Sequence, residues 1–550
     1  MKPRRPGVIA AAVWCMAFFV LVPSMCAQGV VVPRHTGVPQ DWSQRHIVFS
    51  RDALARHPDL IYREARILHQ AIQRWQAPNS NVFHGVDPLP TAVDNSGLQR
   101  DWNVSPLGGK VAAFNFPAKF SFDVGAPPDC TNDYVVFGLS SAGVTGGTAN
   151  LVAFNNLYVN SSGTGFCSGT APNVLFAYNT TTVTGGKITT SPILSLDGTK
   201  IGFVESVPGA THSAIFHVLT WTAGQGSIGG AAVPTAMISL PFSLSANDSG
   251  SSPWIDYAND IVYVGADNGL VYKITGVFHG VPALSGSPWP VTVSTGLHVT
   301  SPVLDSGLGL LMVGSGNGNL YQINTATGVL AALPVGGAGT SHGIVAAPLV
   351  DITNGTTFVV DGNDGTSAVL VEVDTVSMTL LSKGGIGQGA AGGTALNIHD
   401  PDFSNNYYTT PTNGVIRVCG TGAADTTPWQ YAFKFTGRTM HTTPSFSQQL
   451  LTSTAARCTG LTEFFNPNVG SGTDYFFFGL TSDCTAAGGA GGCVAEVTDA
   501  DPTTVLTTTV TNGPSGIVVD NYSTAAEAAS IYLTAEGVNT AYKFTQNGLQ

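Results

Sequence analysis

Beyond residue 105, apolar residues come in runs of about five, each closed by a Gly/Asn/Asp turn and answered by a second run, which is the signature of an antiparallel hairpin. Val262–Ile274 (VYVGADNGLVYKI) and Leu311–Ile323 (LMVGSGNGNLYQI) align without a gap. Looser versions are Tyr134–Phe154, Ile201–Leu219, Phe358–Val373, Tyr407–Val418, Tyr475–Val497 and Ile531–Phe544. A proline precedes each hairpin, at Pro117, Pro192, Pro253, Pro302, Pro348, Pro401, Pro444 and Pro514. Proline costs no ladder bond at a strand start, and after Pro253, Pro302 and Pro348 an Asp three residues on (Asp256, Asp305, Asp351) is suited to close a turn. From Pro253 to Pro444 the markers are 43 to 53 residues apart. That period predicts an all-β fold, an eight-bladed β-propeller of four-stranded blades in which each blade buries its faces against two neighbours. The ring closes either by packing blade eight on blade one or with a strand borrowed from residues near 105–116. The pattern leaves both open.

The rhythm differs before residue 105. From Pro58, the positions Ile61, Ala65, Leu68, Ile72 and Trp75 fall on one stripe at steps of four and three, which predicts an amphipathic helix ending before Pro78. Packing of this helix on the main domain is the expected role, rather than capture of a partner. Residues 77 to about 100, rich in Pro, Asn, Ser and Asp, have no period and look like a linker. The chain thus divides into a signal peptide over 1–27, an N-terminal helical segment and linker over 28–104, and the propeller over 105–550.

Composition agrees with strands and tight turns: 43% hydrophobic, 10% charged and 66 Gly in 550 residues. The leader carries Lys2, Arg4 and Arg5, the apolar run Val8–Val22, Pro23 and a small-residue exit at Cys26-Ala27. This marks a protein exported to the periplasm or secreted. Met25 stands where lipid attachment to Cys26 wants a smaller residue, and no later stretch is apolar enough to span a membrane. Six cysteines remain after the leader, an even number that suggests disulfides. Cys130–Cys167 and Cys484–Cys493 would each tie off a loop within one predicted blade, leaving Cys419–Cys458 by elimination. Between residues 28 and 76 seven Arg face four acidic residues, whereas from 77 onward 12 basic residues face 30 acidic ones. A body this anionic excludes nucleic acid as a partner and makes docking of the cationic segment on the propeller reasonable.

Val262–Ile274 and Leu311–Leu330, the latter containing Asn324-Thr-Ala-Thr-Gly328, resemble repeats of the pyrroloquinoline-quinone (PQQ) type, strongly over residues 250–375 and dilutely over the rest of 105–548. The resemblance specifies fold better than activity. For its dehydrogenase members it implies a quinone in the central channel, a Ca²⁺ ion, a catalytic Asp and often a disulfide between adjacent cysteines. This chain has no adjacent Cys pair. Only Arg417, Arg438, Lys434 and Lys273 lie near blade elements from which cofactor carboxylates could be clamped.

Other constellations have plain readings. His298, His342, His399 and His441 each precede a marker and could converge on the axis to hold a divalent ion, perhaps with Asp400 or Asp402. Their offsets differ, so ordinary hydrogen-bonded histidines are expected. Asp361-Gly-Asn-Asp-Gly365 resembles a fragment of a Ca²⁺ loop but lacks the downstream Glu, so a β-turn is expected. Asp483, Asp499 and Asp501 in Gly/Thr-rich loops have the same reading. Gly339-Thr340-Ser341-His342-Gly343 matches a Ser-nucleophile pattern without its strand-to-helix elbow. No catalytic residue, cofactor or metal is therefore assigned. The expected function is noncatalytic, a binding or scaffold module for a protein, glycan or small ligand at one propeller face through loops at 138–149, 156–178, 222–250 and 451–492. The alternative is a divergent PQQ- and Ca²⁺-dependent dehydrogenase of alcohols or sugars.

Overall fold

The computed structural model describes residues 37–49, 64–67, 70 and 97–545, apart from 106, 208–211, 245–247, 337–342, 389–399, 467–471, 485–490 and 524. The signal peptide and most of the proposed linker lie outside the described residues. Among those described, the apolar runs pair into eight sheets of four or five strands, the blades of a propeller. Blade 3 shows the construction: Trp254–Asp256, Ile261–Gly265, Leu270–Thr275 and Ala283–Leu284 follow one another outward from the axis. The inner strands of blades 1, 2, 4, 5, 6, 7 and 8 are Ala118–Ser121, Ile193–Leu194, Val303–Asp305, Leu349–Asp351, Asp402–Phe403, Thr462–Asn466 and Pro514–Asp520. Second-strand residues such as Val262, Val264, Leu311, Val313 and Val359 are buried between blades, where radial stacking removes both sheet faces from water.

Local chemistry explains the repeat. The carboxylates of Asp256, Asp305 and Asp351 accept bonds of 2.9–3.2 Å from the backbone N–H groups two and three residues on, closing the turn between first and second strands. At the next turn Gly269 has φ +83°, and a Cβ there would fall on the carbonyl of Ser294. Glycine is required at that place.

Blade 6 departs from the predicted pattern twice. Pro444 precedes Phe446–Gln449, which pairs with Pro428–Thr436 on the outer side of blade 6, and the inner strand of blade 7 begins without a proline. An outer strand tolerates Pro at its start as well as an inner one does, so the marker does not tell them apart. Tyr407 opens no hairpin: it sits in the short helix Asn405–Thr409, stacked on Phe403 at 3.8 Å with its hydroxyl donating to Asp351 at 2.7 Å. The hairpin here is Val415–Thr421 with Pro428–Thr436.

Residues before 105 take part in the ring. Gln99–Val104 pairs antiparallel with Ala541–Thr545 as the outermost strand of blade 8, so the borrowed closing strand comes from the tail of the proposed linker rather than from 105–116. Further upstream, Val38–Gln40 lies antiparallel to the inner strand of blade 1, Trp42–Arg45 forms a 3-10 turn begun by the Asp41 carboxylate, and Ile47–Val48 runs parallel to the inner strand of blade 5. Blades 1 and 5 face each other across an eight-membered ring. The chain therefore crosses the central channel.

Of the predicted helix over 58–75, Ala65–Ile67 and Gln70 are described and helical. Glu64, Arg66, Ile67 and Gln70 are buried while Ala65, on the predicted inward stripe, is only half-buried. A helix lodged in a channel buries its polar face too, which amphipathic periodicity does not anticipate.

Cys130 and Cys167 are bonded between two loops of blade 1, Cys419 and Cys458 between blade 6 and the connection into blade 7, and Cys484 and Cys493 across a loop of blade 7. No helix among the described residues is long and apolar enough to cross a membrane.

Candidate functional site

The channel is where a propeller brings its inner strands together, and here residues 38–49, 64–67 and 70 occupy it. Gln40 Nε2 donates to the carbonyl of Val519 in blade 8 at 2.6 Å, Trp42 Nε1 to Pro253 in blade 3 at 3.1 Å, and Arg45 Nη1 to Thr462 Oγ1 in blade 7 at 2.7 Å. His46 Nδ1 donates to the carbonyl of Pro348 in blade 5 at 3.1 Å, which fixes the tautomer. The plug thus donates to carbonyls on or just before the inner strands of blades 3, 5 and 8.

Arg66 anchors the second piece. It is fully buried and pairs with Glu64 at 2.7 Å, donates to Ser43 Oγ at 2.7 Å and to the carbonyl of Ile255 at 3.1 Å, and lies 4.0 Å over the Trp254 ring. Burial raises the pKa of both Glu64 and Asp41, and in each case the Arg66 charge opposes the rise. Gln70 Nε2 donates to the carbonyl of Ile47 and its Oε1 accepts from Phe49 N, tying the helix to the crossing strand.

Burial drives the His46 pKa down to about 4; the nearby Asp400 opposes this, while Arg45 adds to it. The unfolded ring takes its proton near pH 6.5, whereas the folded one resists until about pH 4. This residue's contribution is therefore fully present above pH 6.5 and is lost as the pH falls toward 4, at most about 3 kcal/mol. Replacing His46 with Gln is expected to flatten the fall of Tm between pH 6.5 and 4. Equal slopes in variant and parent would remove His46 from the acid response.

A cleft enclosing about 540 Å³, open space included, remains between the plug and blades 6 to 8, lined by Gln40, Asp41, Gln44 and Arg45 on one side and Tyr408, Thr462 and Val519 on the other. Gln40 Oε1, Asp41 Oδ2, Gln44 Oε1 and Arg45 Nε have no hydrogen-bond partner among the described residues. The cleft thus offers three acceptors and a cationic donor to water or a small polar ligand.

The residues present do not fit a quinone in the channel. Trp42, His46, Ile47, Phe49, Arg66 and Ile67 are all buried in that space, and among the described residues no group of three or more His, Cys, Asp or Glu could hold a metal ion. Arg417 is spent on Asp499 at 2.6 Å, Arg438 on Asp374 at 2.7 Å and Lys273 on the carbonyl of Thr325 at 3.2 Å, while Lys434 is exposed. His298 pairs with Asp267 at 3.1 Å, and His441 bonds Thr436 at 2.8 Å on the surface. His342 and His399, with Ser341, lie outside the described residues. Asp361 and Asp364 accept backbone N–H bonds within their own turn, Asp501 accepts from the nearby Thr503 hydroxyl, and Asp483 accepts from the hydroxyls of Ser482 and the distant Ser453.

The inserts proposed for recognition do not share one end of the ring. Residues 138–149 and, within the 451–492 insert, the described residues 481–484 and 491–492 join second to third strands at the end where the inner strands begin, whereas 156–172 of the 156–178 insert and 222–236 of the 222–250 insert join third to fourth strands at the far end. Two are also engaged in packing. Residues 222–232 run along the outer strand of blade 1, with Ala177 N bonded to the carbonyl of Gln225 and Asn179 N to that of Ala232, covering a sheet edge. The 156–172 insert meets the blade 8 loop through Phe166 N on the carbonyl of Ala526 and Asn160 on Glu527. The plug residues that line the cleft escaped sequence reading, because Gln40, Gln44 and Arg45 form no motif. The excess of arginine before residue 77 was the one signal pointing to them.

No protein-family model matches the chain, and no curated protein does either. Among solved structures it is similar to BamB from Moraxella catarrhalis, 12% identical over 82% of this chain and 98% of that one with a TM-score of 0.42. Dihydro-heme d1 dehydrogenase NirN in complex with DHE is 11% identical over 78% and 76%, with a TM-score of 0.42. A chain of the mitotic checkpoint complex is 8% identical over 68% and 90%, with a TM-score of 0.37. Such likeness says nothing of ligand or activity, and the eight-bladed architecture stands on strand pairing alone.

Proposed function

We propose that this protein is an exported, noncatalytic binding propeller for a protein or glycan partner. The observation that carries the reading is the filled channel: with the axis taken by the chain's own Trp42, His46 and Arg66, recognition is left to the ring's surface and to the cleft beside the plug. Three disulfides suit an oxidising compartment, which supports export. The outer strands of blades 2 to 5 expose Ile238, Leu284, Leu330 and Leu380, apolar side chains on sheet edges of the kind that add a partner strand.

The test is a glycan array and a protein-partner titration on the mature protein, with and without EDTA. Binding that persists in chelator supports the reading. A bound-quinone absorbance band after addition of PQQ and Ca²⁺, with dye-linked oxidation of alcohols or sugars, would overturn it, as would loss of all binding in EDTA.

A further inference from the structure

The seam where the borrowed strand closes blade 8 holds a cluster of charged groups deep in the protein. Asp101 stands at the bulge in the closing strand, between Arg100 and Trp102, and Lys543 on the last strand is paired with Trp102. Asp101 and Lys543 are both fully buried. Lys543 Nζ lies 2.7 Å from Asp101 Oδ2, the same oxygen accepts from Thr545 Oγ1 at 2.6 Å, and Glu527 Oε2 is 3.9 Å from Nζ. The Glu527 carboxyl stands close enough to Asp101 for its charge to raise the Asp101 pKa further, and Asp101 Oδ1 and Glu527 Oε2 accept from no donor among the described residues. A buried carboxyl beside a second carboxylate favours its protonated form. Trp102 and Tyr532, both buried, help to shield Asp101 and Lys543 from water, while the Glu527 side chain is partly exposed.

We propose that Lys543 and Asp101 condense to an amide that closes the propeller ring covalently. A nitrogen in hydrogen-bond contact with a carboxyl oxygen needs only a small rotation to face the adjoining carbon at the roughly 3–3.5 Å of a near-attack geometry. The Nζ lone pair adds to Cγ of the protonated Asp101 carboxyl, and Glu527 takes the proton that Nζ sheds. Glu527 then returns a proton to the hydroxyl at Oδ1, which leaves as water, while Oδ2 stays as the amide carbonyl under the Thr545 hydroxyl. One C–N bond forms, one C–O bond breaks, and no oxidant or cofactor enters. Burial favours the reactive protonation states: it lifts the Asp101 pKa to about 7, against the pull of Lys543, and lowers that of Lys543, against the pull of Asp101. An uncharged amide also replaces an ion pair whose burial is costly.

The experiment is a tryptic peptide map and mass measurement of the denatured, mature protein. Expected is the peptide Asp101–Lys110 joined to the C-terminal peptide that begins at Cys458, lighter than the two together by one water, with no cleavage after Lys543. Glu527→Gln and Lys543→Met are each expected to restore a free Asp101–Lys110 peptide. Full cleavage after Lys543 in the parent, with both peptides at unmodified mass, means an ordinary buried ion pair and overturns the proposal, whether or not either variant folds.

Discussion

Arg66→Ala is expected to lower the free energy of unfolding by about 3–5 kcal/mol, the usual cost of removing one partner from a buried charge pair. The substitution leaves Glu64 buried with its main counter-charge gone, strips a donor from the Ile255 carbonyl and Ser43, and removes the cation over Trp254. A urea titration followed by tryptophan emission reads it, because Trp42 and Trp254, 5.8 Å apart, sit at the plug. Replacing the pair together, Glu64→Leu with Arg66→Met, is expected to recover most of the loss, since an apolar pair of similar volume needs no charge compensation. A loss below about 1 kcal/mol for Arg66→Ala, the scale of a surface ion pair, would show that the plug is detached from the ring in solution, and the argument from a filled channel would fall with it.

How far this arrangement was legible follows from the range of the forces involved. Val262–Ile274 and Leu311–Ile323 announced their hairpins because alternation and turn glycines act between neighbours in sequence, and the pairing Val262↔Ile274 and Leu311↔Ile323 is the one those runs dictate. Blade 6 was misread where a local sign has two meanings: Pro444 starts an outer strand, and Tyr407 fills one turn of helix. The plug and the closing strand depend on contacts hundreds of residues apart, Gln40 with Val519 and Asp101 with Thr545, for which the chain carries no periodic sign. The charge imbalance and the amphipathic stripe from Pro58 hinted that the N-terminal segment would dock on the body, but not where. The buried cluster at Lys543 was invisible for the same reason, since an isolated lysine in a strand pattern reads as a solvated edge residue.

Trp102→Ala is expected to cost about 3–5 kcal/mol as well, the range for deleting a buried aromatic side chain, and to act on the ring rather than on a blade. Trp102 belongs to the borrowed strand of blade 8, yet its ring lies 6.3 Å from Phe154 and its Nε1 donates to the carbonyl of Leu157 at 3.4 Å, both in blade 1, while Tyr532 of blade 8 is 6.1 Å away on the other side. One side chain therefore spans the joint between first and last blades, and its removal leaves a void lined by aromatic rings. Arg100→Ala on the exposed side of the same strand keeps the ladder and should cost less than about 1 kcal/mol. If the ring is held at this joint, limited proteolysis of Trp102→Ala should cut first between residues 105 and 116, where the chain passes from the closing strand into blade 1. An amide between Asp101 and Lys543 would then keep the two fragments together under denaturing, reducing electrophoresis, and Lys543→Met in the same background would release them. Equal stability of Trp102→Ala and Arg100→Ala would place closure elsewhere, in the face-to-face packing of blades 8 and 1 alone.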